Sequence, residues 1–331
     1  MNNKKVFDFI GYRKILFLIP IVIAVITVIF NCIFGVEMAI EFKGGTMLTY
    51  SYTGVKKTVE GENYGAVTVT TGSSMNSSLE VVEISFSSSE GLTADKQTAL
   101  SDKLQQTFKD NSLTLVNSQD VNPTSGTEFF LKCLVAVLFS FVLLVIYIAF
   151  RFKKIGGLSA GVFALVALVH DCFMVYAVFV FCRFPIDANF MAVVLTVLGN
   201  SINNTIVVYD RIRENRNLYG NSLSLKELVN MSITQSITRS VNTTVTTAFA
   251  VLAICVVCAI CGVTSIMTFA IPMMAGLICG TYSSLCISGP LWVLWQEKHG
   301  KNYTNAGNGE SKKDTKNLAS KGTVDTKKLM V

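Results

Sequence analysis

Imidazole and charge are both scarce in this chain. It has two histidines in 331 residues, and Asp, Glu, Lys and Arg together make up 15%. A soluble chain carries roughly 25% charged residues, so the composition excludes an ordinary water-exposed globule. No nucleophile–base pair, nucleotide-binding loop or metal-ligand cluster can be picked out, and soluble-enzyme chemistry has little to work with. The chain therefore reads as no enzyme, with no cofactor and no nucleic-acid partner. The stretch from Gly35 to Glu128 lacks cysteine altogether, which excludes a disulfide framework there. The nine cysteines lie elsewhere, and Cys255-x-x-Cys258-x-x-Cys261 invites an iron–sulfur reading. Such a run needs a fourth cysteine, usually followed by proline; Ser265 stands at that position. The three thiols read instead as small polarizable residues packing within an apolar helix, with no metal.

What the chain has in abundance is apolar sequence, 51% of its residues. Six runs reach the roughly 20 residues needed to cross a bilayer: Ile15–Phe34, Phe129–Phe150, Leu158–Phe181, Phe190–Val208, Val241–Cys261 and Met267–Trp295. The first is longer than a signal-peptide core, and no small-x-small cleavage site follows it. It is an anchor. Basic residues in the short loops set the orientation. They gather in the N-terminal tail, after the second span (Arg151, Lys153, Lys154), after the fourth (Arg211, Arg213, Arg216, Lys226) and in the C-terminal tail. Both termini are thus expected in the cytoplasm of a multi-pass protein of the cell membrane.

The predicted organisation runs from a cytoplasmic tail (1–14) and a first span (15–34) to an external α+β domain (35–128). A five-helix membrane region (129–296) follows, then a disordered basic tail (297–331). In the external segment, MLTYSY (Met47–Tyr52), AVTVTT (Ala66–Thr71), LEVVEISF (Leu79–Phe86) and SLTLV (Ser112–Val116) read as strands. Between the last two, Ala99, Leu100, Leu104 and Phe108 mark one face of a helix. This pattern suggests a compact layer of the ferredoxin-like kind. Between spans four and five, Ser224-x-x-Glu227 is a capping box. Leu225, Leu228, Val229 and Ile233 then form the stripe of an amphipathic helix near 222–238, lying at the cytoplasmic surface and running into span five.

Polar groups inside the spans are the candidate functional residues, because they are expensive there. His170 and Asp171 sit near the middle of span three. They read either as a pair satisfied by its neighbours or as part of an ion path, and intramembrane ionisable groups default to function. Asn203 and Asn204 lie inside span four, though an amide cannot titrate near neutral pH. Arg239 opens span five, where it can snorkel to the interface; Thr238, Ser240, Thr243 and Thr244 could line a wet interhelical groove. Gly276-x-x-x-Gly280 in span six reads as helix packing.

Taken together, the motifs resemble the SecF family of bacterial protein export. FDFIGYRK (Phe7–Lys14) opens the resemblance. AIEFKGGT (Ala39–Thr46) follows, with Glu41 where the family more often has Asp, then VNPTSG (Val121–Gly126), with Asn122 in place of glycine. YIAFRF, LVHD, TVLGNSINNTIVVYDRIREN, SITRSVNTTVTT and GLICGTYSS continue in family order. The resemblance implies half of a resistance-nodulation-division transporter, paired with SecD and associated with the SecYEG translocon. Such a subunit helps unfolded exported polypeptides across the cytoplasmic membrane at the expense of the proton gradient. In the family, an aspartate in span four works with the span-five arginine. Here that aspartate is Asn204 and a family tyrosine is Asn200, while Asn203, Arg239 and the cytoplasmic Asp210-Arg211-Ile212-Arg213-Glu214-Asn215 motif are retained. Asn204 is expected to face Arg239. The missing aspartate leaves three explanations: SecD carries the titratable groups, amide and carbonyl oxygens coordinate a cation such as Na⁺, or the complex is uncoupled. A stand-alone solute exporter would need a second six-span half, and a purely structural translocon subunit is the other rival.

Overall fold

The computed structural model describes residues 7–36, 38–52, 66–73, 80–87, 94–108, 113–219, 222–261 and 264–299. The basic C-terminal tail beyond His299 lies outside the described residues. Six helical segments are long and apolar enough to cross a membrane, which makes the chain a polytopic helical membrane protein.

A turn at Phe9–Tyr12 leads into α1 (Arg13–Phe34). A four-residue helix, α2 (Ile40–Lys43), then delivers the chain to a four-stranded sheet. The strands are β1 (Gly45–Tyr52), β2 (Ala66–Ser73), β3 (Glu80–Ser87) and β4 (Thr114–Val121), with α3 (Ala94–Thr107) between the last two. Their order is β2-β3-β1-β4 and every neighbouring pair is antiparallel. Successive strand residues point to opposite faces, so Leu48 and Tyr50 of β1 and Ile84 and Phe86 of β3 share one face. They bury against Leu100 and Leu104 of α3. Ala99, expected on that helix face, is exposed, because a residue next to Leu100 is turned about 100° away.

Two glycines and two polar residues fasten this layer to the helices. Gly45 has φ +139, and a Cβ there would lie 2.1 Å from the Phe86 carbonyl oxygen, so only glycine fits. A Cβ on Gly126 would lie 3.0 Å from the Glu41 carbonyl oxygen, which lets the first turn of α4 (Pro123–Arg151) lie on α2. Asn122 caps α4, its side chain accepting from the Thr124 amide at 3.0 Å with Pro123 following at the first helical position. That accounts for asparagine where the family motif has glycine. Glu41 accepts from the Ala188 amide at 2.8 Å, at the start of α6 (Ala188–Tyr219), where carboxylates are favoured.

The remaining membrane elements are α5 (Gly157–Cys182), α7 (Leu225–Cys261), α8 (Thr264–Ser283), a π turn (Ser284–Ser288) and α9 (Gly289–His299). The amphipathic helix and span five form one continuous helix, α7, entered through the capping box: Ser224 N donates to Glu227 Oε2 at 3.0 Å. That hydrogen bonding, first from the Ser224 hydroxyl and then from its amide, lowers the Glu227 pKa. Helices α5, α6 and α8–α9 form the bundle's interior, with 44%, 50% and 61% of their membrane-length stretches buried, against 6% for α1 and α4. Their core runs from Val175 and Phe179 through Val197, Ile202 and Tyr209 to Trp292. At the basic end, Phe9 and Ile10 are buried, and Ile10 N donates to Asn230 Oδ1 of α7. Asn230 Nδ2 donates to Asp8 Oδ1 at 2.8 Å. The Gly11 amide first, then Asn230, holds the Asp8 carboxyl below its usual range.

Candidate functional site: a buried polar seam between α5, α6 and α8

Ser201, Thr205 and Tyr209 recur every four residues on α6, which places them on one helical stripe. All three are buried. Facing them, α8 and its π turn present Ser283, Ser284 and Ser288, also buried. Small residues let the two helices close on each other: a Cβ on Gly276 would come within 2.5 Å of Val197, and one on Gly280 within 3.1 Å of Ser201. The small-x-x-x-small spacing therefore packs α8 onto α6.

Asp171 enters this seam from α5 and is fully buried. Its Oδ2 accepts from Ser201 Oγ at 2.5 Å and Ser283 Oγ at 2.8 Å, and its Oδ1 lies 3.0 Å from His170 Nδ1. Beyond it, Ser284 Oγ donates to the Gly280 carbonyl at 2.7 Å, and Thr205 Oγ1 donates to Ser284 at 2.9 Å. One helical turn nearer the basic end, Tyr209 and Ser288 hydroxyls meet at 2.7 Å, and Tyr209 also reaches the Ala160 carbonyl at 3.1 Å. Trp292 Nε1 donating to Ser159 Oγ at 3.1 Å closes the column. A π turn is a rare device, frequent at functional sites, and here it carries the serines.

Asn204 joins a side branch of the seam. It is buried, and its Nδ2 donates to Thr281 Oγ1 at 3.1 Å, while Thr281 in turn bonds Thr244 of α7. Asn203, the next residue, is exposed, as is Arg239. No hydrogen bond or ion pair links Arg239 to Asn204, and among the described residues its guanidinium has no side-chain partner. The expected Asn204–Arg239 pairing is therefore not formed. The physical reason is orientation: Gly276 and Gly280 draw the Ser201 side of α6 onto α8, which turns Asn204 inward, whereas Arg239 lies on the outward side of α7.

The Asp210–Asn215 motif is structural cement at the basic end. Asp210 Oδ1 takes Arg213 Nη2 at 2.6 Å and Arg151 Nη2 of α4 at 3.3 Å. Arg211 bonds Glu214 and Gln235 of α7, each at 2.6 Å. Asn215, the buried end of the motif, donates to Ser232 and Gln235 at 2.8 Å. The exposed ion pairs among these contribute at most about 1 kcal/mol each; Arg151–Asp210 ties α4 to α6, and the Arg211 and Asn215 hydrogen bonds tie α6 to α7. Cys255 packs in an apolar cluster with Val251, Ala270 and Leu277, Cys258 is buried, and Cys261 is exposed. Sequence reasoning found Asp171, His170 and the glycine pair but missed the hydroxyls of Ser201, Thr205, Tyr209, Thr281 and Ser288. The four-residue spacing of Ser201, Thr205 and Tyr209 was the available signal.

Residues 99–298 match the family model described as "Protein export membrane protein SecD/SecF, C-terminal". The chain is similar to the protein translocase subunit SecF of Thermobaculum terrenum, 31% identical over 88% of this chain and 94% of that one. It is likewise similar to that of Anaerolinea thermophila, 29% identical over 91% and 97%. The SecDF subunit of Bacillus subtilis is 30% identical over 87% of this chain, which spans 38% of its length. Among solved structures, the crystal structure of SecDF, a translocon-associated membrane protein from Thermus thermophilus, superposes with a TM-score of 0.70 at 26% identity. That match covers 90% of this chain and 40% of the SecDF chain.

Proposed function

The chain belongs to the SecD/SecF family of protein-export membrane proteins, and from that membership we propose that it is a SecF-type subunit of the Sec translocase. In this reading it pairs with a SecD-type half, associates with a SecYEG channel and assists unfolded polypeptides across the cytoplasmic membrane. It works by movement rather than covalent catalysis. Both termini and the Arg151–Asp210–Arg213 cluster lie in the cytoplasm, so the sheet lies outside, where exported chains emerge. The strand order β2-β3-β1-β4, with β3, α3 and β4 forming a split β-α-β unit, supports reading that layer as ferredoxin-like.

One observation carries the pairing. The chain spans 40% of the SecDF chain it superposes on, and its Asn203 and Arg239 are exposed on the side of α6 and α7 away from the packed interior. A cationic side chain in a membrane span requires a polar partner or a route to the interface, and a SecD-type half supplies the partner. The ion pathway we assign runs through Asp171 and His170 on the inside, with Asn204 beside it and Asn203 and Arg239 at the partner boundary. A second reading, an uncoupled scaffold, is favoured by Asn204, since an amide cannot carry a proton. Depleting the chain from cells and timing maturation of a slow-folding secreted reporter tests the function. Export slows if the reading is right and is unchanged if it is wrong. Adding a protonophore or a sodium ionophore separates coupled from scaffold roles, because a scaffold's contribution survives both.

A further inference from the structure

The ion-coupled reading leaves open what carries the ion once the span-four position is an amide. We propose that Asp171, paired with His170, is the membrane-embedded proton carrier of this chain. In this proposal the hydroxyl file of α6 and the π turn connects it to the basic end of the bundle. The inference rests on the SecF-type, ion-coupled reading.

The argument starts from the hydrogen bonds of Asp171. A buried carboxylate that serves structure alone is best held by donors that cannot let go, such as backbone amides or an arginine. Asp171 has neither. Its donors are two hydroxyls and one imidazole nitrogen, groups that can each reverse or lose their proton. Both hydroxyls also have a second acceptor in place. The Gly280 carbonyl oxygen lies 3.4 Å from Ser201 Oγ and 3.1 Å from Ser283 Oγ. When Asp171 is ionised the hydroxyls donate to it. When it takes up a proton from His170, the new O–H on Oδ1 donates back to Nδ1, and a hydroxyl that lets go of Oδ2 turns onto Gly280. The carboxyl and both hydroxyls keep a partner in either state, so none of the three becomes an orphan costing about 1–3 kcal/mol.

The surroundings contain no fixed counter-charge. His170 is the ionisable neighbour within hydrogen-bond reach. Cys172 on α5 and Cys279 on α8 are the other titratable groups near Asp171, and thiols are neutral near pH 7. On α6 the facing groups are Ser201 and Asn204. Helix α1 carries no acidic or basic residue after Lys14, and α4 has none between Lys132 and Arg151. His170 Nε2 is buried without a hydrogen-bond partner among the described residues. That nitrogen, on the far side of the ring from Asp171, is where a proton is handed on: Nδ1 gives its proton to the carboxylate as Nε2 receives one, so the carboxylate is neutralised and the ring stays neutral.

Toward the basic end the relay runs from Ser201 to Ser284 and Thr205, then to the Tyr209–Ser288 pair. One helical turn, about 5.4 Å, separates the last two layers, a distance that one bridging water would span. Asn204 stands beside this file on Thr281 and takes no part in it. A sodium site fits less well, because the oxygens around Asp171 are already in hydrogen-bond contact with one another and His170 offers no hard ligand.

The test is pH-difference infrared spectroscopy of the full-length chain with its partner in lipid, following the C=O stretch of protonated carboxyls. The wild type gives a protonation band that is lost in Asp171→Asn and displaced in frequency in Ser201→Ala and Ser283→Ala. Spectra of the wild type and Asp171→Asn that superimpose would overturn the assignment. So would a band that both serine variants leave unmoved, a readout that survives if Asp171→Asn does not fold. Loss of the band on adding Na⁺ at fixed pH, without a pH response, would make the site a metal-cation site instead. A band assigned to Asp171 together with unchanged export on depletion sinks the translocase reading and keeps the carrier. Slowed export with no such band does the reverse.

Discussion

Asn203 and Asn204 are adjacent and chemically identical, yet they belong to two different polar regions of the bundle. The inner region, to which Asn204 belongs, joins Asp171, Ser201, Thr205, Thr281 and Ser284 by hydrogen bonds that cross between helices. The outer one, to which Asn203 belongs, includes Arg239, Asn242, Thr243 and Thr246, all exposed. Its hydroxyls turn back on their own helix: Thr243 donates to the Arg239 carbonyl at 2.9 Å and Thr246 to the Asn242 carbonyl at 3.0 Å. The inner region is therefore finished within the chain, and each of its groups depends on another helix. The outer region is quieted locally and leaves only Asn203, Asn242 and Arg239 open. A partner can cover such a face without disturbing anything beneath it.

The largest effect should come from forcing the inner helices apart. Gly276 lies so close to Val197 and Val175 that a Cβ would come within 2.5 and 3.0 Å of their methyl groups, and valine has few rotamers with which to retreat. Gly276→Ala is expected to cost about 1–3 kcal/mol, and Gly276→Leu to abolish the monodisperse folded protein in detergent. Gly199 on α6 has nothing within 4 Å of where its Cβ would stand. Gly199→Ala should be neutral, or stabilising by up to about 1 kcal/mol through helix propensity. Thermal unfolding of the three variants checks this, and equal melting temperatures for Gly276→Ala and Gly199→Ala would deny that the inner contact is tight.

Thr281→Val cuts one cross-helix link without changing shape. It removes the hydroxyl that accepts from Asn204 and bonds Thr244, and so strands a buried amide. The expected loss is about 1–3 kcal/mol. The matched change on the outer face, Thr246→Val, deletes only a bond to its own helix and should stay within about 0.5 kcal/mol. Similar losses for the two would erase the distinction between the regions.

Much of this was legible in the sequence, and what was not has a common cause. Apolar runs of span length need no tertiary information, and alternation in Leu48–Tyr50 and Ile84–Phe86 marked the strands that carry the sheet core. Orientation about a helix axis is different. Thr243 and Thr205 look alike in a membrane segment, yet one bonds its own backbone and the other bonds Ser284 of a facing helix. Which way each points is decided by how α6 docks on α8, through glycines whose partners lie some 80 residues earlier. The family pattern placed Arg239 opposite position 204 for a similar reason. Docking of α6 on α8 turns Asn204 inward, whereas Arg239 lies on the outward side of α7.

Arg239→Ala should have the smallest effect on the chain alone and so gives the sharpest test of the outer face. Its guanidinium has no side-chain partner among the described residues and is exposed, so truncating it strands no other polar group. Removing a charge from a membrane segment also relieves roughly 2.5–3.5 kcal/mol on insertion scales, less whatever snorkelling already recovers. The two terms leave the chain's thermal stability within about 0.5 kcal/mol of the wild type, or slightly above it. Association with a SecD-type partner should move the other way. If Arg239 meets a carboxylate of the partner in a desolvated boundary, its loss leaves that charge unpaired and costs about 2–5 kcal/mol. That is at least a tenfold weaker complex, since 1.4 kcal/mol is one factor of ten. Melting curves of the isolated chain and co-purification yields with the partner read the two quantities separately. A variant that melts well below the wild type on its own would place Arg239 among the inner contacts. One that melts and co-purifies like the wild type would leave the outer face without a partner at this position.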